Sequence, residues 1–101
     1  MMHMDWQRDG FTVSTDPARL DMAFTVDALA ETYWCKGTPK AKIEKSIGNA
    51  LIFGLYEDET ARQVGFCRVV TDFSRFAWLS DVFVLDEMRG RALGKFLVGC
   101  T

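Results

Sequence analysis

Three apolar segments that follow one another closely in the second half of the chain restrict the possible folds most. They read ALIFGLYE (50–57), RQVGFCRVVT (62–71) and RFAWLSDVFV (75–84), and only the short polar links DETA and DFS separate them. Apolar runs of this length that are rich in β-branched and aromatic residues predict strands, and such short links are typical of hairpins. The sequence therefore predicts three antiparallel strands here. Hairpins at this point exclude a dinucleotide-binding unit, because that unit needs parallel strands with crossover helices.

A strand and a long helix are predicted before this hairpin region. The stretch GFTVS (10–14) alternates as a short strand does. A helix is predicted to follow it, with Thr15 or Asp16 as its cap and Pro17 at its first position, where the missing N–H costs nothing. Its apolar residues share one face, and they are Met22, Val26, Leu29 and Tyr33.

Two further helices complete the predicted order. The stretch KGTPKAKIEKSIGNA predicts a helix that Thr38 caps, that carries Ile43 and Ile47 on one face, and that stops at 48–49. The last helix is predicted to begin at about Gly90. The order is β-α-α-β-β-β-α, which indicates an α+β fold, similar to an α/β sandwich, with a mainly antiparallel sheet.

Composition restricts the function classes. The 101 residues, of which 49% are hydrophobic and 26% charged, predict a single domain over residues 1–101. A formal charge of -2 does not provide the cationic surface that nucleic-acid binding needs. The start of the chain lacks the apolar core of a signal peptide, and no apolar run approaches the length of a membrane span, so we expect no membrane association and a cytoplasmic location.

The cysteines give no sign of a metal site. Cys35, Cys67 and Cys100 are odd in number, lie far apart and form no CxxC pair. This spacing argues against a disulfide framework and against zinc, so we expect reduced thiols and no metal.

The stretch LDEMRGRALGKFL (85–97) is the candidate binding motif. It follows an apolar strand and opens a predicted helix, so the backbone N–H groups of residues 90–95 are not satisfied within that helix. Unsatisfied N–H groups at the positive end of a helix form an anion site, to which Arg91 and Lys95 add cationic side chains. The alternative is a solvated, charged helix start.

The chain resembles the Gcn5-related N-acetyltransferases. The stretches STDPARLD, YWCKGTPKAKIEKSI, QVGFCRVVTD and LSDVFVLDEMRGRALGKFLV are similar to a subgroup of small bacterial members. Arg89, Ala92 and Gly94 stand where the family has Arg/Gln-x-x-Gly-x-Gly/Ala, a pattern that binds the pyrophosphate of acetyl-coenzyme A. The resemblance implies an enzyme that transfers an acetyl group from acetyl-coenzyme A to an amine of a small molecule or a protein.

The same resemblance implies a set of cofactor-binding residues. The strand before the motif would pair its backbone with the pantetheine arm, and the motif would hold the pyrophosphate. The implied residues are Val82, Phe83, Val84, Arg89, Gly90, Arg91, Ala92, Leu93, Gly94 and Lys95. Ala92 departs from the usual middle glycine, and its Cβ intrudes where a phosphate would approach the backbone.

Asp81 is the candidate catalytic residue, because it is a carboxylate inside an apolar strand and an unpaired buried charge is costly. It would either orient or deprotonate the acceptor ammonium, or it serves the structure by a hydrogen bond at the strand end. The resemblance places Tyr33 and Trp34 at the acceptor side, and core packing is the alternative for both. Strict alternation along the strand also predicts one shared face for Ala77, Leu79, Asp81 and Phe83.

The resemblance covers about the first two thirds of the family's fold. Members continue with a fifth strand, a fourth helix and a final hairpin, so we expect a truncated GNAT domain. Without the fifth strand, residues 76–84 would lie at the sheet edge, which predicts a homodimer formed through that edge. The alternative function is a noncatalytic coenzyme A-binding or interaction domain built on the same half-fold.

Overall fold

The computed structural model describes residues 3–32, 34–88 and 92–101. The strands are β1 Asp5–Arg8, β2 Phe11–Ser14, β3 Leu51–Glu57, β4 Arg62–Thr71 and β5 Ala77–Val84. The helices are α1 Met22–Ala30, α2 Lys40–Gly48 and α3 Leu93–Gly99. Short 3-10 turns lie at Pro17–Arg19 and Asp86–Met88. No helix among the described residues is long and apolar enough to cross a bilayer.

The strands form one antiparallel sheet in sequence order, β1-β2-β3-β4-β5. The predicted α+β class and the antiparallel hairpins are therefore confirmed. The predicted β3 begins one residue early and the predicted β5 two residues early, and β4 has the predicted bounds. β5 lies at one edge of the sheet, since β4 is its neighbour and the order ends there.

The first strand, β1, was not predicted. Its sequence DWQR has no apolar alternation, but it pairs with β2 through the turn at Asp9 and Gly10. Both turn residues have positive φ, 50° and 86°, which is the backbone of the tight hairpin turns that match strand twist. The Asp9-Gly10 pair is a sequence signal for a hairpin turn. The strand before it is mostly polar, so it lacks the alternation that would have indicated a hairpin.

Helix α1 begins one turn later than predicted. The first cap is real, because the Asp16 carboxylate accepts a hydrogen bond from the N–H of Ala18, but it opens only the short 3-10 turn. Leu20 then adopts an extended backbone, and the Asp21 carboxylate caps α1 by accepting from the N–H of Phe24 at 3.0 Å. Two successive aspartate caps therefore divide what the sequence suggested was one helix.

The predicted Thr38 cap of α2 is wrong. Pro39 occupies the N-cap position, and no side chain there bonds the helix N–H groups. The predicted stop at 48–49 is confirmed, because α2 ends at Gly48 and Asn49 follows as its C-cap.

Helices cover both faces of the sheet. Helix α3 packs on one face, where the buried cluster contains Phe11, Val13, Phe53, Leu55, Val64, Cys67, Val69, Met88, Leu93 and Leu97. Helices α1 and α2 pack on the other, over Val26, Leu29, Ile43, Ile47, Ile52 and Phe66. The predicted inward stripes of α1 and α2 are thus confirmed at Val26, Leu29, Ile43 and Ile47. Tyr33, the last residue of the predicted stripe, lies outside the described residues.

A β-bulge in β5 overturns the predicted alternation. Phe83 pairs with Phe66 and Ser80 pairs with Arg68, so two residues of β5 stand opposite one residue of β4. Asp81 takes a left-handed backbone with φ 54°, a conformation that aspartate tolerates better than most residues. Phe83 consequently packs on the face of α1 and α2, whereas Leu79 is exposed and lies opposite Val69 on the other face, so the predicted common face is wrong.

A buried thiol and a buried phenol make the free energy of unfolding depend on pH in the alkaline range. Burial raises the pKa of Cys67 from 9.0 to about 12 and the pKa of Tyr56 from 10.0 to about 12. The unfolded chain therefore loses these protons at lower pH than the folded chain, so their contribution is intact below about pH 9 and is lost as pH rises toward 12.

We expect the free energy of unfolding to fall by a few kcal/mol between about pH 8 and pH 11. Urea unfolding in the presence of a reductant measures this. Cys67→Ala and Tyr56→Phe should each flatten the pH profile, whatever they do to stability at neutral pH. Identical profiles for the parent and both variants would contradict the assignment.

Candidate active site

A cleft of about 560 Å³ opens between β5 and the start of α3. Its lining residues are Val82, Phe83, Val84, Met88, Ala92, Leu93, Gly94 and Lys95. All of these except Met88 are residues that the sequence predicted as cofactor-binding. Arg89, Gly90 and Arg91 complete that predicted set and lie outside the described residues.

The edge of the sheet forms one wall of this cleft. β5 pairs with β4 along one side, so its other side presents backbone groups that no neighbouring strand in the described part of the chain satisfies. Val82 and Val84 pack toward α3, whereas Phe83 packs toward α1 and α2. Because these side chains lie on the two faces of the sheet, the outer backbone N–H and C=O groups of β5 are free to form hydrogen bonds at this wall.

Ala92 forms the other wall in an unusual conformation. It occupies the N-cap position of α3 with φ 58° and ψ 22°, and it makes no side-chain cap bond. A residue with a Cβ costs about 1 kcal/mol in this left-handed region, which glycine adopts freely. The alanine that departs from the family's glycine is therefore strained.

Ala92→Gly is expected to raise the free energy of unfolding by up to about 1 kcal/mol, because it removes this strain. Thermal melting measures the change. The matched control is Ala23→Gly at an exposed, helical position in the first turn of α1, which should lower stability by up to about 1 kcal/mol. A loss of stability in both variants would show that Ala92 is not strained.

A hydrogen-bonded cluster surrounds Asp81, next to the cleft residue Val82. The Asp81 carboxylate accepts from Arg68 Nε through Oδ2 at 2.8 Å and from Trp34 Nε1 through Oδ1 at 2.8 Å. Arg68 Nη2 also donates to Ser80 Oγ at 3.2 Å. The side chains of Arg68 and Asp81 are only 17% and 9% exposed. The structure thus brings the predicted residues Asp81 and Trp34 together and adds Arg68, which was not predicted from the sequence.

This geometry limits what Asp81 can do chemically. Both of its oxygens already accept hydrogen bonds, and its charge balances that of Arg68. A proton taken from an ammonium group would leave the largely buried Arg68 cation without its counterion. The arrangement therefore suits a carboxylate that orients neighbouring groups better than one that exchanges protons.

A metal ion has no evident ligand set here. Among the described residues, no three histidine, cysteine or acidic side chains are placed to hold one together. Cys35, Cys67 and Cys100 are free thiols, of which Cys67 is buried and the other two are partly exposed.

Known structures contain the same arrangement of strands and helices. The crystal structure of a putative acetyltransferase of the GNAT family from Xanthomonas campestris pv. campestris matches 93% of this chain, with 40% identity and a TM-score of 0.84. The chain belongs to the GNAT family. The resemblance found in the sequence is thereby confirmed.

Two further relatives of this GNAT chain agree with that assignment. A Gibberella zeae protein named as a putative acetyltransferase is 28% identical over an alignment 112 residues long, which covers 93% of this chain. A Staphylococcus aureus protein described as a probable acetyltransferase matches 89% of the chain with a TM-score of 0.69, and its 24% identity shows the fold alone. No family model matches the chain.

The GNAT chain is shorter than these relatives. It spans 66% of the Xanthomonas chain, 65% of the Staphylococcus chain and 63% of the Gibberella protein. The relatives thus contain additional chain that has no counterpart among these 101 residues.

Proposed function

We propose that this GNAT chain binds acetyl-coenzyme A in the cleft between β5 and α3 and transfers the acetyl group to an amine of a small molecule or a protein. One observation carries the proposal: the lining of the cleft consists almost entirely of residues that the family pattern implies for the cofactor. The proposal treats residues 1–101 as one GNAT-like domain, and a cytoplasmic location remains a prediction.

The described residues fit the two halves of the coenzyme. The pantetheine arm carries amides, and the unpaired backbone side of residues 82–84 can hydrogen-bond to amides as a neighbouring strand would. Lys95 and the backbone N–H groups near Ala92 and Gly94 would hold the pyrophosphate, together with Arg89, Gly90 and Arg91 as the sequence implies. When bound, the coenzyme supplies an activated acetyl thioester.

Trp34 and Asp81 support an acceptor site at the Val82 end of the cleft. We propose that Asp81 orients the acceptor amine, directly or through Trp34, and that Tyr33 belongs to the same side. Asp81→Asn keeps the shape but removes the charge, and it retains only one of the two oxygens that accept hydrogen bonds from Arg68 and Trp34. If Asp81 orients the acceptor, the variant loses turnover at every pH between about 6 and 9, whereas a purely structural Asp81 leaves turnover per folded molecule unchanged.

Release of free coenzyme A thiol from acetyl-coenzyme A, in the presence of a panel of amines, tests the proposed transfer. Thiol release that depends on the amine supports it. Coenzyme binding without amine-dependent release would instead favour the second candidate, a noncatalytic coenzyme A-binding or interaction domain. The exposed apolar side chains of the β4–β5 hairpin are the observation that favours an interaction role.

The outer part of the β4–β5 hairpin supports a homodimer. Five large apolar side chains are exposed in this region, namely Val70, Phe73, Phe76, Trp78 and Leu79, and Trp78 reaches 64% exposure. Exposed apolar patches beside an unpaired strand edge mark contact surfaces. We propose that two chains pair through the outer part of their β5 edges, near residues 77–79, antiparallel and related by a two-fold axis, which leaves residues 82–84 free for the coenzyme.

We expect the parent to elute as a dimer of the 11.5 kDa chain when light scattering follows size-exclusion chromatography at micromolar concentration. Trp78→Lys should shift it to the monomer, because a charge at the edge opposes pairing. The control is Val98→Lys, which places the same charge at an exposed apolar position on α3. A well-folded monomeric parent would contradict the dimer.

A further inference from the structure

Arg68 uses only one edge of its guanidinium group within the described structure. A guanidinium carries five N–H donors on two edges, each able to hold a carboxylate by two parallel bonds. The side edge is occupied, because Nε donates to Asp81 and Nη2 donates to Ser80. The end edge, formed by Nη1 and the second hydrogen of Nη2, has no hydrogen-bond partner in residues 3–32, 34–88 and 92–101.

The guanidinium group of Arg68 is held in place by hydrogen bonds but is not fully buried. Arg68 is fixed by Asp81 and Ser80, and at 17% exposure its side chain still reaches solvent. In the described residues, Tyr56 Oη is the one side-chain atom that is both fully buried and without a hydrogen-bond partner. Nη1 of Arg68 is therefore not such an atom. A pre-oriented cation with an open edge is a favourable site for a planar anion.

The location of the free edge connects it to the acceptor side. Arg68 is bonded to Asp81, which adjoins the cleft residue Val82, and Asp81 is bonded to the indole of Trp34. An anion on Arg68 would therefore lie near the end of the cleft where an acceptor must meet the thioester. A carboxylate suits the site better than a phosphate, because the second negative charge of a phosphate would lie close to Asp81.

We infer that Arg68 is a specificity-determining residue that binds the carboxylate of the acceptor, so that the acceptors are amino acids or other amines that carry a carboxylate. This inference rests on the proposed acetyl transfer for its meaning. It concerns acceptor binding, however, and is tested without the coenzyme.

The test compares acids with their own amides by NMR. The probes are glycine, 4-aminobutyrate and L-phenylalanine, each paired with its carboxamide, and the signal is the indole N–H of Trp34. The chain has three tryptophans, so a Trp34→Phe variant identifies that signal. Because Trp34 and Arg68 share Asp81 as partner, a carboxylate on Arg68 should shift the indole resonance. We expect at least one acid to bind about tenfold or more tightly than its amide.

Variants separate the role of Arg68 from its structural role. Arg68→Gln should reduce the preference for the acid to about twofold or less. Arg68→Lys keeps the charge but cannot form two parallel bonds to a carboxylate, so it should retain part of the preference. Arg75→Gln removes an exposed arginine of the β4–β5 hairpin and should leave the preference for the acid unchanged.

The comparison of acid with amide in the parent decides the inference even if Arg68→Gln does not fold. The inference is overturned if no acid moves the Trp34 signal, if acid and amide bind equally, or if Arg75→Gln has the effect of Arg68→Gln. Failure of the proposed acetyl transfer shows itself separately, as absence of amine-dependent thiol release.

Discussion

Arg68→Met is expected to lower the free energy of unfolding by about 3–5 kcal/mol, because it removes the counterion of a buried carboxylate. Asp81 is 9% exposed and lies 2.8 Å from Arg68 Nε, so its charge cannot recover full hydration when the guanidinium is gone. The loss should exceed that of a surface pair by several fold. Urea unfolding at neutral pH measures it.

The GNAT chain contains a matched control for this prediction. Arg62 pairs with Glu87 at 3.2 Å, but both side chains are about half exposed, so Arg62→Met should cost at most about 1 kcal/mol. The double variant Arg68→Met/Asp81→Asn should regain part of the stability lost in Arg68→Met, since it removes the stranded charge. Equal losses in Arg68→Met and Arg62→Met would contradict the role assigned to the buried pair.

Gly94→Glu is expected to weaken coenzyme A binding by about 100-fold while changing the free energy of unfolding by less than about 1 kcal/mol. Gly94 lines the cleft, and a Cβ added to it meets no atom within 4 Å, so the fold accepts a side chain there. The new carboxylate would repel the phosphates that Lys95 is proposed to attract. Isothermal titration calorimetry measures the affinity and urea unfolding the stability.

Gly99→Glu provides the control for the cleft variant. Gly99 lies on the same helix, has equally open space where a Cβ would be added, and does not line the cleft. The same charge at this position should leave the affinity within about threefold of the parent. If both glutamates weaken binding alike, the effect comes from net charge and not from the cleft.

The strands β3, β4 and β5 could be predicted because their signals are local. Apolar runs and short polar links decide hairpin pairing without reference to distant residues, and the bounds agree with the structure within two residues. β1 could not be predicted from its own residues, since DWQR gains its strand conformation from pairing with β2. The late start of α1 depends on Asp21, a second cap only five residues after the first.

In the candidate site, too, some features could be predicted from the sequence and others could not. The family resemblance assigns residues 82–84 and 92–95 to one cofactor, and the structure brings them together at one cleft, while their binding role stays a prediction. The Arg68 partner of Asp81 was missed because the bulge in β5 sets the register between them. Trp34 was placed at the acceptor side by resemblance alone, and its bond to Asp81 was not predicted, since no local rule joins residues 47 positions apart.

The most direct test of the coenzyme site is an NMR titration of the ¹⁵N-labelled chain with coenzyme A. We expect amide shifts that cluster at residues 82–84 and 92–95 and that disappear in Gly94→Glu. A second cavity of about 400 Å³, lined by Arg19 and Arg62 but also by Asp21, is the alternative location that the titration distinguishes. Shifts confined to that cavity, with residues 82–84 and 92–95 unmoved, would contradict the placement of the coenzyme between β5 and α3.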